Sequence, residues 1–171
     1  NYLTSSIEKR FPRLWRIRGV ARAPEDWRLL CSVDEFWAPQ PDVAKPNRCN
    51  AQGCSVLYVS ERLRTPFEEL AVKPGERAYL SEFVPTRRLR LRQIVRPSLV
   101  IRDEMNDREL LDAESQLSHQ ILREFIRAEF MKPVGKGTEF LHKISASICR
   151  VWADAADLDG WIYRSIVSPG E

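Results

Sequence analysis

Hydrophobic and polar side chains alternate in short stretches of this chain, and such alternation is the pattern of a β-strand with one buried face. Leu14–Val20 shows it clearly, with Trp15 and Ile17 between arginines. Further strands are predicted at Ala78–Val84 and Trp161–Ile166. Ser55–Ser60 is instead a short apolar run with β-branched and aromatic members, which predicts a buried strand.

Another predicted strand carries several arginines. Arg88, Arg90 and Arg92 alternate with Leu89 and Leu91, so one face would be apolar and the other positively charged. We favour a solvated strand at the edge of a sheet, where charged side chains prevent aggregation. The alternative is a non-catalytic basic module that binds phosphate, an acidic partner or nucleic acid, and it predicts strongly salt-dependent binding.

Two longer segments show helical periodicity. Glu114–Met131 and Glu139–Ala153 each place their large apolar residues on one stripe, which predicts helices that pack against a core. These stripe residues are Leu117, Ile121, Leu122, Phe125, Ile126 and Phe130 in the first, and Phe140, Leu141, Ile144, Ile148, Val151 and Trp152 in the second. His119 and His142 fall at positions that look exposed, so a surface role is expected for both. Strands and helices together predict a mixed α/β (α+β) fold.

A shorter helix is predicted to begin at Thr65. Thr65 suits the N-cap, Pro66 suits the first helical position, and Glu68 would complete a capping box. Glu69 is left without that structural role. By spacing alone, Glu69 is best interpreted as the partner of Lys73 in a surface ion pair, which contributes about 0.3–0.5 kcal/mol.

Composition narrows the class of protein. The 171 residues are 43% hydrophobic and 30% charged, which is typical of one soluble domain spanning residues 1–171. No apolar run approaches the ~20 residues of a membrane span, and we see no signal peptide. The first residue is not methionine, so the chain could be part of a longer protein. The net charge of +3 is too small to indicate a nucleic-acid partner by itself.

The four cysteines are scattered along the sequence. Only Cys49 and Cys54 lie close together, and neither a CxxC pair nor a histidine accompanies them. This spacing argues against a zinc site, so no metal is expected. Reduced thiols in a cytoplasmic protein are the expected state.

Three ordered motifs resemble the signatures of RES-domain proteins. Residues 48–70, RCNAQGCSVLYVSERLRTPFEEL, resemble the family's first signature, and residues 159–165, DGWIYRS, resemble its second. The arginine, glutamate and serine that give the family its name would be Arg48, Glu69 and Ser165. Near the start, LWRI resembles the opening motif of the family and brings in Arg16.

The resemblance implies an ADP-ribosyltransferase-like mixed β-sheet with surrounding helices. It also implies that NAD+ is the substrate and that the nicotinamide–ribose bond is broken, either by hydrolysis or by phosphorolysis with inorganic phosphate as co-substrate. Some members instead transfer ADP-ribose to a protein or nucleotide target. Many members are toxins that act in the cytoplasm, so an antitoxin or immunity protein is an expected partner.

The resemblance also assigns roles to particular residues. Cleavage leaves positive charge on the ribose, and the Glu69 carboxylate would stabilise that oxocarbenium-like state. Ser165 would hydrogen-bond Glu69 or the ribose, and Tyr58 would stack on nicotinamide. Arg48 and Arg16 would bind the pyrophosphate, because guanidinium groups bind its oxygens bidentately.

Asn50 completes the predicted binding residues. It lies in the polar loop that begins at Arg48 and leads to Tyr58. A loop that delivers polar side chains beside a strand is a common position for binding residues. We therefore group Asn50 with the residues expected to contact NAD+.

Overall fold

A computed structural model gives the fold of the chain. It describes residues 4–22, 25, 28–30, 32–94, 107–135, 137–152 and 157–166. Within those ranges, no helix combines the length and the apolar character that crossing a membrane requires. The bounds of the strands are Thr4–Lys9 (β1), Leu14–Ala21 (β2), Arg77–Phe83 (β3), Leu89–Ile94 (β4) and Gly160–Ile162 (β5). The bounds of the helices are Arg64–Glu69 (α1), Asp107–Met131 (α2) and Lys143–Trp152 (α3), with short 3-10 turns at Val33–Glu35, Pro41–Val43 and Glu139–His142.

The strands form two sheets. In the first, β4 is the central strand, antiparallel to β1 and parallel to β5. In the second, β2 and β3 pair antiparallel, with Arg16 opposite Ser81. Mixed strand directions together with packed helices confirm the predicted α+β class. The predicted strands at Leu14–Val20 and Ala78–Val84 are confirmed as β2 and β3, because alternation along a half-buried strand is a strong local signal.

The arginine-bearing strand is not at an edge, so that prediction is wrong. β4 is flanked on both sides, because the polar strand β1, which carries no apolar pattern, pairs along its full length. Its two faces are both covered, since Leu91 and Ile94 point to opposite faces and both are buried. Arg90 remains exposed and pairs with Asp157 at 3.2 Å. Arg92 is half-buried, with its guanidinium 6.0 Å from the centre of the Trp161 ring.

The buried core therefore lies on both faces of β4. Phe11 and Leu14 pack with Leu91 on one face. On the other face, Ile94 packs with apolar side chains of α2 and α3. These are Ile126, Phe130 and Cys149. This arrangement joins the central strand to the C-terminal half of α2 and to α3, and it places the loop that contains Cys49 against the same cluster.

Both predicted long helices exist, but their stripes are only partly buried. In α2, Ile126 and Phe130 are buried, whereas Ile121 is 61% exposed and three further stripe residues are also exposed. These are Leu117, Leu122 and Phe125. In α3 the buried face consists of the small residues Ser145, Ala146 and Cys149, while the larger Ile144 and Val151 are exposed. The predicted stripe of α3 is therefore only partly correct: Ile148 packs against the core cluster, but the fully buried positions carry small side chains, because these pack closely there.

The segment Ser55–Ser60 is not a regular strand, contrary to prediction. Residues 54–59 have no regular secondary structure, and only Ser60 forms an isolated bridge with Trp15. The two backbone hydrogen bonds of that bridge measure 2.7 and 2.8 Å. The segment is held by this bridge and by hydrogen bonds of the Ser55 and Tyr58 hydroxyls, which local periodicity does not predict. The predicted C-terminal strand is also shorter than expected, because β5 ends at Ile162.

The start of α1 also differs from the prediction. The helix begins at Arg64, its N-cap Leu63 has helical backbone angles, and no side chain caps the first turn. Thr65 is buried, and Glu68 pairs with Arg64 one turn earlier. The predicted capping box is therefore wrong, because the i,i+4 ion pair occupies the carboxylate that would have reached back to the cap.

Candidate active site

A network of hydrogen bonds fixes the loop from Arg48 to Tyr58. The Tyr58 hydroxyl donates to Asn50 Oδ1 at 2.8 Å and accepts from the Cys49 backbone N–H at 2.9 Å. The Asn50 amide donates to the carbonyls of Lys45 and Ala51 at 2.8 and 3.0 Å. Burial raises the pKa of Tyr58, so its hydroxyl stays protonated and keeps its donor role.

The sequence predicted that Asn50 contacts the substrate. In the structure its side chain is buried within its own loop. Its side chain is only 5% exposed, and both amide hydrogens are used on loop carbonyls. Buried amide groups need such partners, because an unsatisfied donor costs about 1–3 kcal/mol. In this structure Asn50 gives the loop its shape and thereby sets the direction of the neighbouring Arg48.

Arg48 joins this loop to the end of α2. Its Nε donates to the Phe130 carbonyl at 2.8 Å, and Nη2 donates to the Lys132 carbonyl at 3.0 Å. The last carbonyls of a helix lack partners within the helix, and its C-terminus attracts positive charge. Arg48 donates hydrogen bonds to these carbonyls and places its positive charge at the helix C-terminus, so its guanidinium is held in one position. The third guanidinium nitrogen, Nη1, takes no part in these two hydrogen bonds.

Glu69 and Ser165 meet although 96 residues separate them. The Ser165 hydroxyl donates to Glu69 Oε1 at 2.9 Å. Glu69 is the last residue of α1 and is exposed, whereas Ser165 follows β5 and is half-buried. One predicted signature therefore supplies the carboxylate, and the other supplies a hydroxyl that orients it.

Tyr163 lies between these two parts of the site, and we did not predict it as a functional residue. Burial raises its pKa, and the neighbouring ionisable groups of Cys49, Tyr58 and Glu69 raise it further. Arg48 acts in the opposite direction. Tyr163 therefore lies near all four of these side chains.

The sequence did contain a signal for Tyr163. It is two residues before Ser165 in the second signature, and alternate residues of an extended segment point the same way. Its ring lies 5.8 Å from that of Phe130, so it also contacts the core beneath the site. Tyr163 therefore connects the exposed carboxylate to the buried framework.

Arg16 is positioned separately, by the β2–β3 sheet. It is half-buried opposite Ser81, and α1 packs against its strand. Arg16 Nη1 and Ser81 Oγ are buried, and neither has a hydrogen-bond partner among the described residues. Burial lowers the pKa of Arg16, and the nearby Arg18 lowers it further. A buried cation next to another cation is a feature that a bound anion would stabilise.

His142 is buried, so the predicted surface role is wrong. It is 5% exposed, and its Nδ1 is buried without a partner in the described part of the chain. Burial lowers its pKa, and the charges of Arg48 and Lys132 lower it further against the opposing effect of Glu139. The error arose because His142 belongs to a 3-10 turn, where the residue spacing differs from that of an α-helix. The side chain of His119 lies outside the described residues.

The aspartate that opens the second signature has a structural role. Asp159 accepts hydrogen bonds from the Arg87 guanidinium at 2.7 Å and from the Arg90 backbone N–H at 2.8 Å. The Arg87 hydrogen bond is the main reason that the pKa of Asp159 falls to about 2. These contacts fix the entry into β5 beside β4 and therefore the position from which Ser165 reaches Glu69.

The arrangement presents an exposed carboxylate beside a partly buried tyrosine and a fixed arginine. The structure brings Arg48, Tyr58, Glu69 and Ser165 to one region around Tyr163. Such a group suits a reaction in which positive charge develops on a bound molecule, because Glu69 faces solvent and is already oriented. Among the described residues, no group of three or more histidine, cysteine or acidic side chains could hold a metal ion.

Comparison with known families gives one match. The family model described as RES domain matches residues 13–171, which is nearly the whole chain. Searches of curated proteins and of solved structures gave no significant match. The matched range includes both signatures and every residue of the cluster around Tyr163.

Proposed function

We propose that this chain, which belongs to the RES-domain family, binds NAD+ and cleaves its nicotinamide–ribose bond. The observation that carries the proposal is the Ser165–Glu69 hydrogen bond of 2.9 Å, which orients an exposed carboxylate. Glycosidic cleavage builds positive charge at the ribose carbon, and a preorganised carboxylate stabilises that charge. Neutral nicotinamide leaves, so its departure requires little help from a general acid.

Glu69 and Ser165 act on the ribose in this mechanism. Ser165 donates to Oε1, so the carboxylate does not need to reorganise when charge develops on the substrate. Tyr163 packs on the core cluster beneath this region and thereby supports the site from the inner side. Tyr58 keeps its hydroxyl in the loop network, so its ring is the part available to stack on nicotinamide.

The arginines act on the pyrophosphate. Arg48 is fixed at the end of α2, and its Nη1 and positive charge remain for the substrate. Arg16 is half-buried with Nη1 unpartnered among the described residues, and an anion beside it would compensate the cost of burying that charge. Asn50 contributes indirectly, through the loop shape that it holds.

The second substrate decides the products. Inorganic phosphate would give ADP-ribose 1″-phosphate, water would give ADP-ribose, and an acceptor on another molecule would give a mono-ADP-ribosylated product. Uncontrolled depletion of NAD+ would harm the cell that makes the protein, so an antitoxin or immunity protein and a cytoplasmic site of action belong to this proposal.

The test is a product analysis of the purified protein. It is incubated with NAD+, with and without inorganic phosphate. Nicotinamide and the nucleotide products are then separated by chromatography and identified by mass spectrometry. Nicotinamide release that is faster with phosphate indicates a phosphorylase. Release at the same rate with and without phosphate indicates a hydrolase. Addition of labelled NAD+ to a lysate detects transfer of ADP-ribose. Failure to release nicotinamide under all three conditions would reject the proposal.

A further inference from the structure

Two cysteines that are far apart in sequence are neighbours in the fold. Cys49 packs against the core cluster that contains Cys149, and its side chain is close enough to influence the pKa of the Cys149 thiol. Cys54, the cysteine nearest to Cys49 in sequence, is exposed. Both Cys49 and Cys149 are free thiols in this structure. Contact between two thiols is the starting geometry for a disulfide, provided that their backbones move only slightly.

The two thiols differ in their access to solvent. Cys149 is 1% exposed, whereas Cys49 is half-buried at the start of the loop that holds Tyr58. An oxidant in solution therefore reaches Cys49 first. The neighbouring Cys49 and burial raise the pKa of Cys149, so that thiol reacts slowly with an oxidant from solution.

Cys49 is also connected to the candidate active site through its own backbone. Its N–H donates to the Tyr58 hydroxyl, and the preceding residue, Arg48, is bound to the end of α2. Cys149 lies in α3 and belongs to the cluster against which Cys49 packs. A covalent bond between the two sulfurs would shorten their contact by on the order of 1–2 Å and pull the Arg48 loop toward α3.

We propose that Cys49 and Cys149 form a redox modification site, in which oxidation joins the Arg48 loop to α3 through a disulfide. With hydrogen peroxide as oxidant, the Cys49 sulfur attacks one peroxide oxygen and the O–O bond breaks. That oxygen stays on sulfur as the sulfenic acid, and the other oxygen leaves as water with the thiol proton. The Cys149 sulfur then attacks the Cys49 sulfur, the S–O bond breaks, and the hydroxide leaves with the Cys149 proton as water. The pair loses two electrons and two protons in total, and a low-molecular-weight thiol reverses the step.

The modification should reduce activity, and this part of the inference rests on the proposed function. Moving the Arg48 loop by about 1 Å displaces Arg48 and weakens the Cys49–Tyr58 hydrogen bond. Misplacement of this size commonly costs ~10²-fold in rate. We expect the oxidised protein to release nicotinamide at least tenfold more slowly than the reduced protein, with recovery on addition of dithiothreitol. Unchanged turnover in a protein shown to be fully cross-linked would overturn this regulatory consequence.

The cross-link itself is measured without reference to NAD+. The full chain is reduced, freed of reductant, exposed to equimolar hydrogen peroxide, blocked with N-ethylmaleimide and digested without reduction. Mass spectrometry should find the peptides of Cys49 and Cys149 joined and two hydrogens lighter than the separate thiols. Absence of this cross-link in folded protein, or a dominant cross-link between Cys49 and Cys54, would overturn the proposal.

Matched variants separate the pair from the other thiols. Cys54→Ser should cross-link like the wild type, whereas Cys149→Ala should stop at oxidised Cys49. If Cys149→Ala does not fold, Cys49→Ala at the half-exposed position provides the same control. A cross-link without NAD+ cleavage by the reduced protein would reject the proposed function and keep the redox site. NAD+ cleavage without a cross-link would support the proposed function and reject the redox site.

Discussion

The two parts of the candidate active site are built in different ways. The loop from Arg48 to Tyr58 is fixed by several hydrogen bonds to half-buried or buried groups. The Glu69–Ser165 pair, in contrast, rests on an exposed carboxylate and one described hydrogen bond. The difference suggests a division of work, in which the loop provides a rigid frame and Glu69 provides the charge. Substitutions in the frame should therefore reduce stability, and substitutions at Glu69 should reduce activity.

Glu69→Gln should give the largest effect on activity. It keeps the shape of the side chain but removes the charge that faces the ribose, and loss of one such contact commonly costs ~10²–10³ in rate. The affinity for NAD+ should change less than the turnover, because the charge matters most in the transition state. Steady-state nicotinamide release over a range of NAD+ concentrations measures both quantities, and circular dichroism confirms that the variant is folded.

Glu68→Gln is the matched control for that experiment. Glu68 is the preceding residue of α1, and its ion pair with Arg64 lies at the surface, where such pairs contribute little. We expect nearly full activity from this variant. An inactive Glu68→Gln beside an active Glu69→Gln would show that the first signature is misaligned by one residue.

Arg48→Gln should give the largest effect on stability. It removes two charge-assisted hydrogen bonds to the end of α2 and leaves two half-buried carbonyls without these donors. We expect a loss of roughly 2–4 kcal/mol in the free energy of unfolding, from the range for hydrogen bonds to charged groups. Urea titration measures it, and a stability equal to that of Glu69→Gln would contradict the comparison.

Tyr58→Phe should reduce stability by a smaller amount. The change keeps the ring but leaves Asn50 Oδ1 and the Cys49 N–H without their shared partner. One buried unsatisfied group costs about 1–3 kcal/mol, and water can replace part of the loss in a half-buried site. The urea midpoint should fall, while stacking on nicotinamide through the ring should survive. A full loss of activity at unchanged stability would show that the hydroxyl serves the chemistry directly.

Ser165→Ala should reduce activity by about tenfold or more, because its hydroxyl donates to a charged carboxylate and such a hydrogen bond contributes roughly 1.5–3 kcal/mol. The Glu69 charge remains, but its carboxylate must now be oriented during the reaction. The reduction should appear mainly in kcat. Ser165→Thr, which retains the hydroxyl, should recover part of the rate, and a failure of both variants to change kcat would separate Ser165 from Glu69.

The smallest predicted effect concerns how the stability of the fold depends on pH under acidic conditions. The folded pKa of Asp159 is about 2, below its usual 3.8, so its stabilising contribution is present above about pH 4 and is lost as the pH falls toward 2. Arg87→Gln removes the main cause of this shift and should flatten the profile between those values. Thermal unfolding across that pH range checks it, and because the pair is exposed, high salt should weaken the same difference.

Local pattern was enough to predict several elements of this protein. Alternation located β2 and β3, and the 3.6-residue period located α2 and α3, because each signal depends only on the geometry of its own backbone. The two ordered signatures also indicated which distant residues to group into one candidate site. Of these, Ser165 and Glu69 lie in hydrogen-bond contact. The sequence thus determined the elements and the candidate residues.

Tertiary structure decided the neighbours of those elements and residues. The arginine-bearing strand became central because β1, a strand without an apolar pattern, pairs with it. His142 became buried, Tyr163 entered the site, and Cys49 came to pack in the cluster that contains Cys149, each through contacts between segments that are far apart in the sequence. Periodicity shows which face of a segment prefers burial, but the segment that covers that face is selected by the packing of the whole chain.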